Sequence, residues 1–476
     1  AGNISGAANA LERALSLDPD NAEILSNLAA VRQDQSQVSE ASQLFKSAAR
    51  ANPNSNTAQS NLLMSLNYHS QSPSEIFEAH RRWAVSLNLM VTGSPFPAPG
   101  AVWAKKNRSE TDRPIRIGYV SGDFRQHSVS YFLEPVLRHH DKEKFDIYCY
   151  AAMDSPDSVT TRLKAQSTHW RSIYNLSDTQ FATCVVTDEI DILVDLSGHT
   201  ANNRLPAFAR RLAPVQISWL GYPNTTGLTA MDYRLTDCIA DPPGSESHHS
   251  EKLVRLPNGF LCYQPLNDAP TVSPSPYLQN GCITFGSFNN AAKISPTVVD
   301  AWSSILLQIP KSRLFLKARQ FSDGVVCSKL TDKFSQIGID TSRITLKGRT
   351  NSPQEHLSLY QNIDIALDTF PYNGTTTTCE AMWMGVPTIT LSGNRHASRV
   401  GASLLRRVGL ENWIAKNTEE YVQIAKRCAI QGNDLSKLRQ TLRLTMNKSV
   451  LCDANSFTLD LEDAYRSFLS KTSAVK

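Results

Sequence analysis

IDIALDTFPYNGTTTTCEAMWMGVPTITLS, residues Ile363 to Ser392, carries the pattern from which the fold class is read. IDIALD (363–368) is a short apolar run that reads as a strand, and PTITLS (387–392) reads as another. Between them Gly374 and Thr375, Thr376, Thr377 and Thr378 open a helix that runs through Glu380 to Met384. Strand, helix and strand in this succession form one unit of a parallel sheet. A helix N-terminus carries free N–H groups and the positive end of a dipole, which suits an anionic phosphate. Gly374 lets the backbone approach a ligand closely, and the threonine hydroxyls add donors. A threonine-rich cap on an ordinary helix is the plainer account. Four consecutive threonines are poor helix formers, however, and their presence favours a ligand-related reason. Glu380, one turn inside the helix, is placed to accept hydrogen bonds from ribose hydroxyls.

The same alternation extends in both directions. ITFGSF (283–288), a helix near 296–309, RLFLKA (313–318), RITLKG (343–348) and WIAK (413–416) share a region with the opening stretch. IRIGYV (115–120), FDIYCYA (145–151), DILVDL (191–196), VQISWL (215–220) and YRLTD (233–237) make an earlier set. The fold class is therefore α/β, with two doubly wound, Rossmann-like lobes. The first lobe spans 113–264, an inter-lobe linker 265–281, and the second lobe, which binds the nucleotide, 282–476. Ligands of such sheets bind beyond the carboxyl ends of the strands, so the cleft between the lobes is the expected site.

The first seventy residues repeat. Ala7/Ala41, Leu11/Phe45, Ala14/Ala48, Pro19/Pro53, Asn27/Asn61 and Leu28/Leu62 share one offset of 34 positions, the period of tetratricopeptide helix pairs. Ala7, Ala14 and Ala41 are expected at close helix crossings, with Pro19 and Pro53 between helices. Such units present a concave groove to protein segments, which implies protein partners. Residues 71–112 read as a helical linker that includes the Gly/Pro-rich TGSPFPAPG at 92–100. The chain starts without Met and in mid-pattern, which suggests that it is the end of a longer repeat array.

Four further segments carry candidate chemistry. In FGSFNNAAKISP, from Phe285, Asn289, Asn290 and Lys293 follow a strand, and the lysine is placed to neutralise a leaving diphosphate. In YVSGDFRQHSVSYF, from Tyr119, Asp123 and His127 do the same, and His is the usual acid or base near neutral pH. In the segment from Asp195, His199 and Asn202 follow one strand and the run Gly221–Gly227 (GYPNTTG) follows the next. In GRTNSPQEHLSLY, from Gly348, His356 falls on a helix after a strand. A single loop histidine is more often structural. Several such loops, all after strands, are better explained by one shared site.

Composition narrows the class. The chain has 476 residues, 41% hydrophobic and 19% charged, with net charge +4. That charge is too weak for a nucleic-acid stripe, so no nucleic-acid partner is expected. No apolar run approaches the length of a membrane span, and no membrane partner is expected. The nine cysteines include no pair at C-x-x-C spacing, which gives a zinc site no support. Reduced thiols in a cytoplasmic, or in a eukaryote nuclear, compartment fit best.

At these residues the chain resembles the O-linked N-acetylglucosamine transferase family, which includes the plant SPINDLY branch. HSVSYF, DILVDLSGHTANN, APVQISWLGYPNTTG, FGSFNN and FPYNGTTTTCE carry the resemblance, which covers nearly the whole chain. It implies tetratricopeptide repeats before two catalytic lobes in the GT-B arrangement. It also implies an inverting, metal-independent transfer from a nucleotide sugar to Ser or Thr of proteins, with no further cofactor. By similarity, Lys293 would sit on the diphosphate and Asn290 on the donor. Thr376, Thr377 and neighbouring N–H groups would hold the phosphates, Glu380 the ribose and His356 the nucleoside. His127 matches a histidine considered as general base, and His199 lies near a cleft-lining position. SPQEH lacks a basic residue found before that nucleoside histidine in many animal members. HSVSYF and GHTANN stand closer to SPINDLY, whose members can use GDP-fucose. The expected donor is UDP-N-acetylglucosamine, with GDP-fucose as the alternative and a repeat scaffold with inactive lobes as a third reading.

Overall fold

The computed structural model of the chain describes residues 3–92 and 113–474. Apart from Thr92, the Gly/Pro-rich stretch read as a linker lies outside the described residues. Four helices open the chain, Ile4–Leu17, Ala22–Asp34, Val38–Ala51 and Asn56–Ser65. Their starts follow from local chemistry. The Asn21 side chain accepts from the N–H groups of Glu23 and Ile24, and Ser55 Oγ accepts from Ala58, which satisfies donors that a helix leaves open. Pro19 and Pro53 lie in the turns between helices. Ala41 is buried as expected, and so is Ala48. Ala7 is exposed and Ala14 half-buried, because the first helix turns Ala8 and Leu15 inward instead.

Thirteen strands follow among the described residues: β1 (Ile115–Ser121), β2 (Phe145–Ala151), β3 (His169–Ser172), β4 (Ile192–Asp195), β5 (Val215–Ser218), β6 (Tyr233–Thr236), β7 (Lys252–Arg255), β8 (Thr284–Ser287), β9 (Arg313–Lys317), β10 (Ile344–Lys347), β11 (Ile365–Leu367), β12 (Thr388–Leu391) and β13 (Ile414–Ala415). They form two sheets, ordered β3-β2-β1-β4-β5-β6-β7 and β10-β9-β8-β11-β12-β13. Every pairing is parallel. Both sheets share one winding: the chain starts in the middle, runs to one edge, returns to the middle and runs to the other. In each, the order reverses between two central strands, β1 and β4 in one and β8 and β11 in the other. Loops beyond the carboxyl ends of such a pair are where doubly wound sheets hold ligands.

The chain divides into two compact units. One combines 1–70 with 265–449, so the repeats belong with the second sheet. The other combines 71–264 with 450–476. Helix Ala454–Ala474 therefore corrects the expected second lobe of 282–476, because it packs on the first sheet. Phe457, Leu461, Tyr465 and Phe468 recur at helical spacing and are buried in the first sheet's core. Phe468 stacks on Tyr233 at 4.0 Å, and Glu462 Oε1 meets His140 Nδ1 at 2.9 Å. Burying aromatic side chains of this size stabilises by roughly 1.5–3 kcal/mol each, more than neighbourhood in sequence supplies. The second sheet builds its core around Phe285, Trp302, Phe334 and Tyr421. No helix of the described residues is long and apolar enough to cross a membrane.

Candidate functional site

In the second sheet the loops after β8 and β11 meet at the reversal of strand order. Asp368, one residue beyond β11, shapes the corner. Its side chain is buried and accepts from Thr369 N–H (2.8 Å), Gly374 N–H (2.6 Å) and Thr390 Oγ1 (2.7 Å). Burial pushes its pKa up to about 6, against the pull of those donors and of Lys293. By holding Gly374, Asp368 folds the loop 369–374 back on itself. At Gly374 a Cβ would lie 2.5 Å from Thr377 Oγ1 and 2.8 Å from Asn289 Oδ1, so glycine is required by close approach.

Helix Thr376–Trp383 begins at this loop. Thr375 occupies its cap position and makes no side-chain cap bond. The first turn's N–H groups thus have no side-chain acceptor in that position. Thr377 Oγ1 donates to Asn289 Oδ1 at 2.9 Å, tying the helix to the β8 loop. Thr376 Oγ1 is buried without a hydrogen-bond partner, and Thr378 is buried beside Gly374.

Lys293 ends a short 3-10 turn, Ala291–Lys293, after β8. Its Nζ donates to the Asn373 carbonyl at 2.7 Å and lies 3.8 Å from the centroid of the Tyr372 ring. Desolvation brings its pKa down to about 8, with Asp368 pulling the other way. The ammonium therefore carries its charge at neutral pH within a loop that supplies one carbonyl and one aromatic face. Asn290 Oδ1 caps the turn, accepting from Ala292 N–H at 3.0 Å and from Gln320 Nε2 at 2.8 Å. This oxygen holds the turn, while Asn290 itself is exposed.

His356 and Glu380, expected as separate ligands of one nucleoside, are paired with each other, Nε2 to Oε2 at 3.0 Å. His356 Nδ1 is buried with no partner. Phe288 and Tyr360 flank the His356 ring at 5.6 and 5.9 Å, and Tyr360 donates to the Thr377 carbonyl at 3.1 Å. The second sheet thus brings Asn290, Lys293, His356, Gly374, Thr375–Thr378 and Glu380 to its reversal point. Sequence reasoning did not single out Asp368, Tyr372, Asn373, Phe288 or Tyr360. It also missed Lys317, half-buried at the end of β9, whose pKa is lowered by burial against the pull of Glu380 and Glu355. The signal that found Lys293, a lysine at a strand's carboxyl end, was present at Lys317 as well.

The first sheet's reversal point is built differently. His127 is exposed after β1, with Nδ1 3.6 Å from Asp123 Oδ2 and 3.3 Å from Val129 N–H. His199, after β4, is fully buried. Its Nε2 lies 2.9 Å from the Thr226 carbonyl, and its ring meets Trp83, His80 and Tyr222 at 4.4, 5.2 and 5.2 Å. Burial and the neighbouring His80 hold its pKa well below the ordinary imidazole value. His199, expected among the catalytic residues near a cleft-lining position, is thus a walled-in ring that burial keeps from taking up a proton. The GYPNTTG loop is likewise internal. Thr225 and Thr226 are fully buried and donate to Glu251, whose carboxylate also takes the Thr226 N–H. Glu251, far along the chain and unremarked in the sequence, accounts for those threonines. Among the described residues no group of three or more His, Cys, Asp or Glu side chains is arranged to hold a metal ion.

Known proteins share both the sequence pattern and the architecture. The pattern of Glycosyl transferase family 41 matches residues 97–267 and 271–461, and a tetratricopeptide repeat pattern matches 1–65. A relative in Hordeum vulgare, a probable UDP-N-acetylglucosamine–peptide N-acetylglucosaminyltransferase SPINDLY, is 45% identical over 87% of this chain and 44% of its own length. The Arabidopsis thaliana SPINDLY relative is 44% identical over 89% of this chain and 46% of its own. This chain thus spans less than half the length of those relatives. A mutant of Thermobaculum terrenum O-GlcNAc transferase superposes with a TM-score of 0.92 at 39% identity, covering 100% of this chain and 89% of that one.

Proposed function

The chain belongs to glycosyl transferase family 41, and from that premise we propose that it transfers one sugar from a nucleoside diphosphate donor to Ser or Thr hydroxyls of proteins, with N-acetylglucosamine from UDP-N-acetylglucosamine as the donor group. The observation that carries the reading is the pairing, at one loop, of the Lys293 ammonium with a helix start that lacks a side-chain cap. In a direct displacement the acceptor oxygen bonds to the anomeric carbon as the bond to the diphosphate oxygen breaks, with inversion. The acceptor proton passes to a base, for which the exposed His127 is our candidate. Negative charge grows on the leaving diphosphate, and preorganised donors aimed at it lower the barrier. Lys293 and the hydroxyls and N–H groups of Thr375–Thr378 fill that role. Glu380 and His356 recognise the ribose and base, Asn290 orients the donor, and no metal takes part. The repeats present acceptor proteins to the site.

A second donor is favoured by one observation: similarity is greater to SPINDLY proteins, at 45%, than to the Arabidopsis thaliana relative SEC, at 31%. That reading takes GDP-fucose as donor. Calorimetric titration with UDP and separately with GDP distinguishes the two without an acceptor. Selective UDP binding supports N-acetylglucosamine transfer and selective GDP binding supports fucose transfer. Binding of neither favours a scaffold with inactive lobes.

A further inference from the structure

The repeats touch the second sheet at the two places that flank the lysine. The turn between helices Ala22–Asp34 and Val38–Ala51 makes the first contact. Asp34 accepts from Arg319 Nη2 at 2.8 and 2.9 Å and from Gln320 Nε2 at 2.9 Å. Gln320 is fully buried, and the same Nε2 donates to Asn290 Oδ1, the cap of the Lys293 turn. Two residues on, Ser36 Oγ donates to the Ala291 carbonyl at 2.8 Å, at the start of that turn. Ser36 has φ +58°, a left-handed conformation that a residue with a Cβ adopts at a cost of roughly 1–2 kcal/mol. Its bond to Ala291 is part of what compensates. The second contact is Tyr68, after the last repeat helix. Its ring meets Tyr372 edge-on at 5.1 Å, and the Tyr372 face carries the ammonium. Arg395, itself buried, donates to the Asn67 carbonyl at 3.1 Å and to that of His69, fixing the backbone on both sides of Tyr68.

We propose that the repeat turn Asp34–Ser36 and Tyr68 are positioning elements for Lys293, so that the last repeats are a structural part of the diphosphate site as well as a platform for protein partners. The inference rests on the reading of Lys293 as the leaving-group ligand. One route ends on the side-chain cap of the lysine's turn, one on that turn's backbone, and one on the ring beneath the ammonium. An ammonium is a compact point charge on a flexible stem, and it holds a diphosphate well only if its surroundings fix it. Tyr68 covers part of the Tyr372 ring with its edge. Burial and Asp34 raise its own hydroxyl pKa to about 12.

The test is calorimetric titration with UDP and with GDP between pH 6.5 and 9.5, alongside thermal melting. It compares wild type with Lys293→Ala, Ser36→Gly, Asp34→Asn, Tyr68→Ala and Tyr68→Phe. Gln59→Ala, which alters bonds internal to the repeats, is the control. Lys293→Ala is expected to weaken the nucleotide that binds by about tenfold or more, the worth of one charge-assisted bond. Ser36→Gly, Asp34→Asn and Tyr68→Ala are each expected to weaken it by about three- to tenfold. In Tyr68→Ala the loss of binding at alkaline pH also moves to higher pH, because water reaches the ammonium. Tyr68→Phe restores binding and the pH profile, and Gln59→Ala leaves both unchanged. Ser36→Gly relieves backbone strain and decides the matter if Tyr68→Ala does not fold. Wild-type affinity and pH profile in well-folded repeat variants, beside a large loss in Lys293→Ala, overturn the positioning role and leave the Lys293 reading intact. Unchanged binding in Lys293→Ala, or binding of neither nucleotide, overturns the Lys293 reading and this inference with it.

Discussion

Asp195 and Asp368 occupy the same corner of two sheets with the same winding. Each stands at the carboxyl end of the fourth strand in its sheet's chain order, is buried, and has its pKa pushed up to about 6 by burial. Each gathers loop N–H groups: Asp195 takes those of Ser197 and Gly198 at 3.1 and 2.8 Å, and Asp368 those of Thr369 and Gly374. Beyond the aspartates the two loops part ways. After Asp195 the chain turns tightly at Gly198, where a Cβ would lie 2.2 Å from Tyr222 Cβ, and His199 closes the corner with aromatic rings. After Asp368 the chain opens an eight-residue helix with no side-chain cap, with a lysine ammonium held beside the loop. One corner is packed shut by aromatic rings, and the other gathers an uncapped helix start and a lysine ammonium, the groups proposed above to hold the diphosphate. Topology supplies a place, and the side chains beyond the strands decide whether it is filled by the protein or by a ligand.

Lys293→Ala should bring out this contrast most strongly. Transfer should fall by about two to three orders of magnitude, the ~2.7–4 kcal/mol worth of one preorganised donor, while the melting temperature stays near wild type. A well-folded variant with near-full transfer would overturn the assignment. Gly374→Ala comes next. The added methyl meets Thr377, Asn289 and Thr378 oxygens within 3 Å, so we expect about 1–3 kcal/mol of lost stability and loss of nucleotide affinity in titration. At the closed corner, His199→Ala should lower stability by about 1–3 kcal/mol by stranding buried partners, as read by denaturant melts. His127→Ala, on an exposed ring, should leave the melt unchanged. A melt reversed between the two histidines would undo the distinction between the corners.

The pH dependence should separate the corners further. If Lys293 holds the diphosphate as proposed, binding needs its ammonium, whose pKa burial brings down to about 8. Affinity should therefore be level below that pH and fall above it, by up to about tenfold per pH unit; titration across the range checks this. The smallest effect is expected at Thr376→Val. The Thr376 hydroxyl is buried and unpartnered, so stability should change by about 0.5 kcal/mol or less, with a measurable drop in diphosphate affinity alone.

Much of the fold was legible. FDIYCYA coincides with β2 to the residue, IRIGYV falls one residue short of β1, and the other apolar runs match strands with ends trimmed by one or two residues. β3 and β7 were missed because HWRS and KLVR are short edge strands, the first largely exposed and the second flanked by charged residues, so they carry no apolar run. The repeats were legible from their period, though not which alanines face inward. That Gly374, the threonines and Lys293 would gather at strand ends was legible because such residues are unusual where they stand. The closed corner was misread because a buried His or Thr looks the same in sequence as an exposed one.

Periodicity and the chemistry of adjacent residues were enough to set the alternation of strands and helices, the repeats, and the loops that stand at strand ends. Three outcomes came from tertiary packing alone. Helix Ala454–Ala474 belongs to the first sheet, Glu251 takes up Thr225 and Thr226, and Asp34, Ser36 and Tyr68 reach the surroundings of Lys293. Those outcomes depend on desolvation and on pairing between residues far apart in the chain, and local pattern carries no record of either.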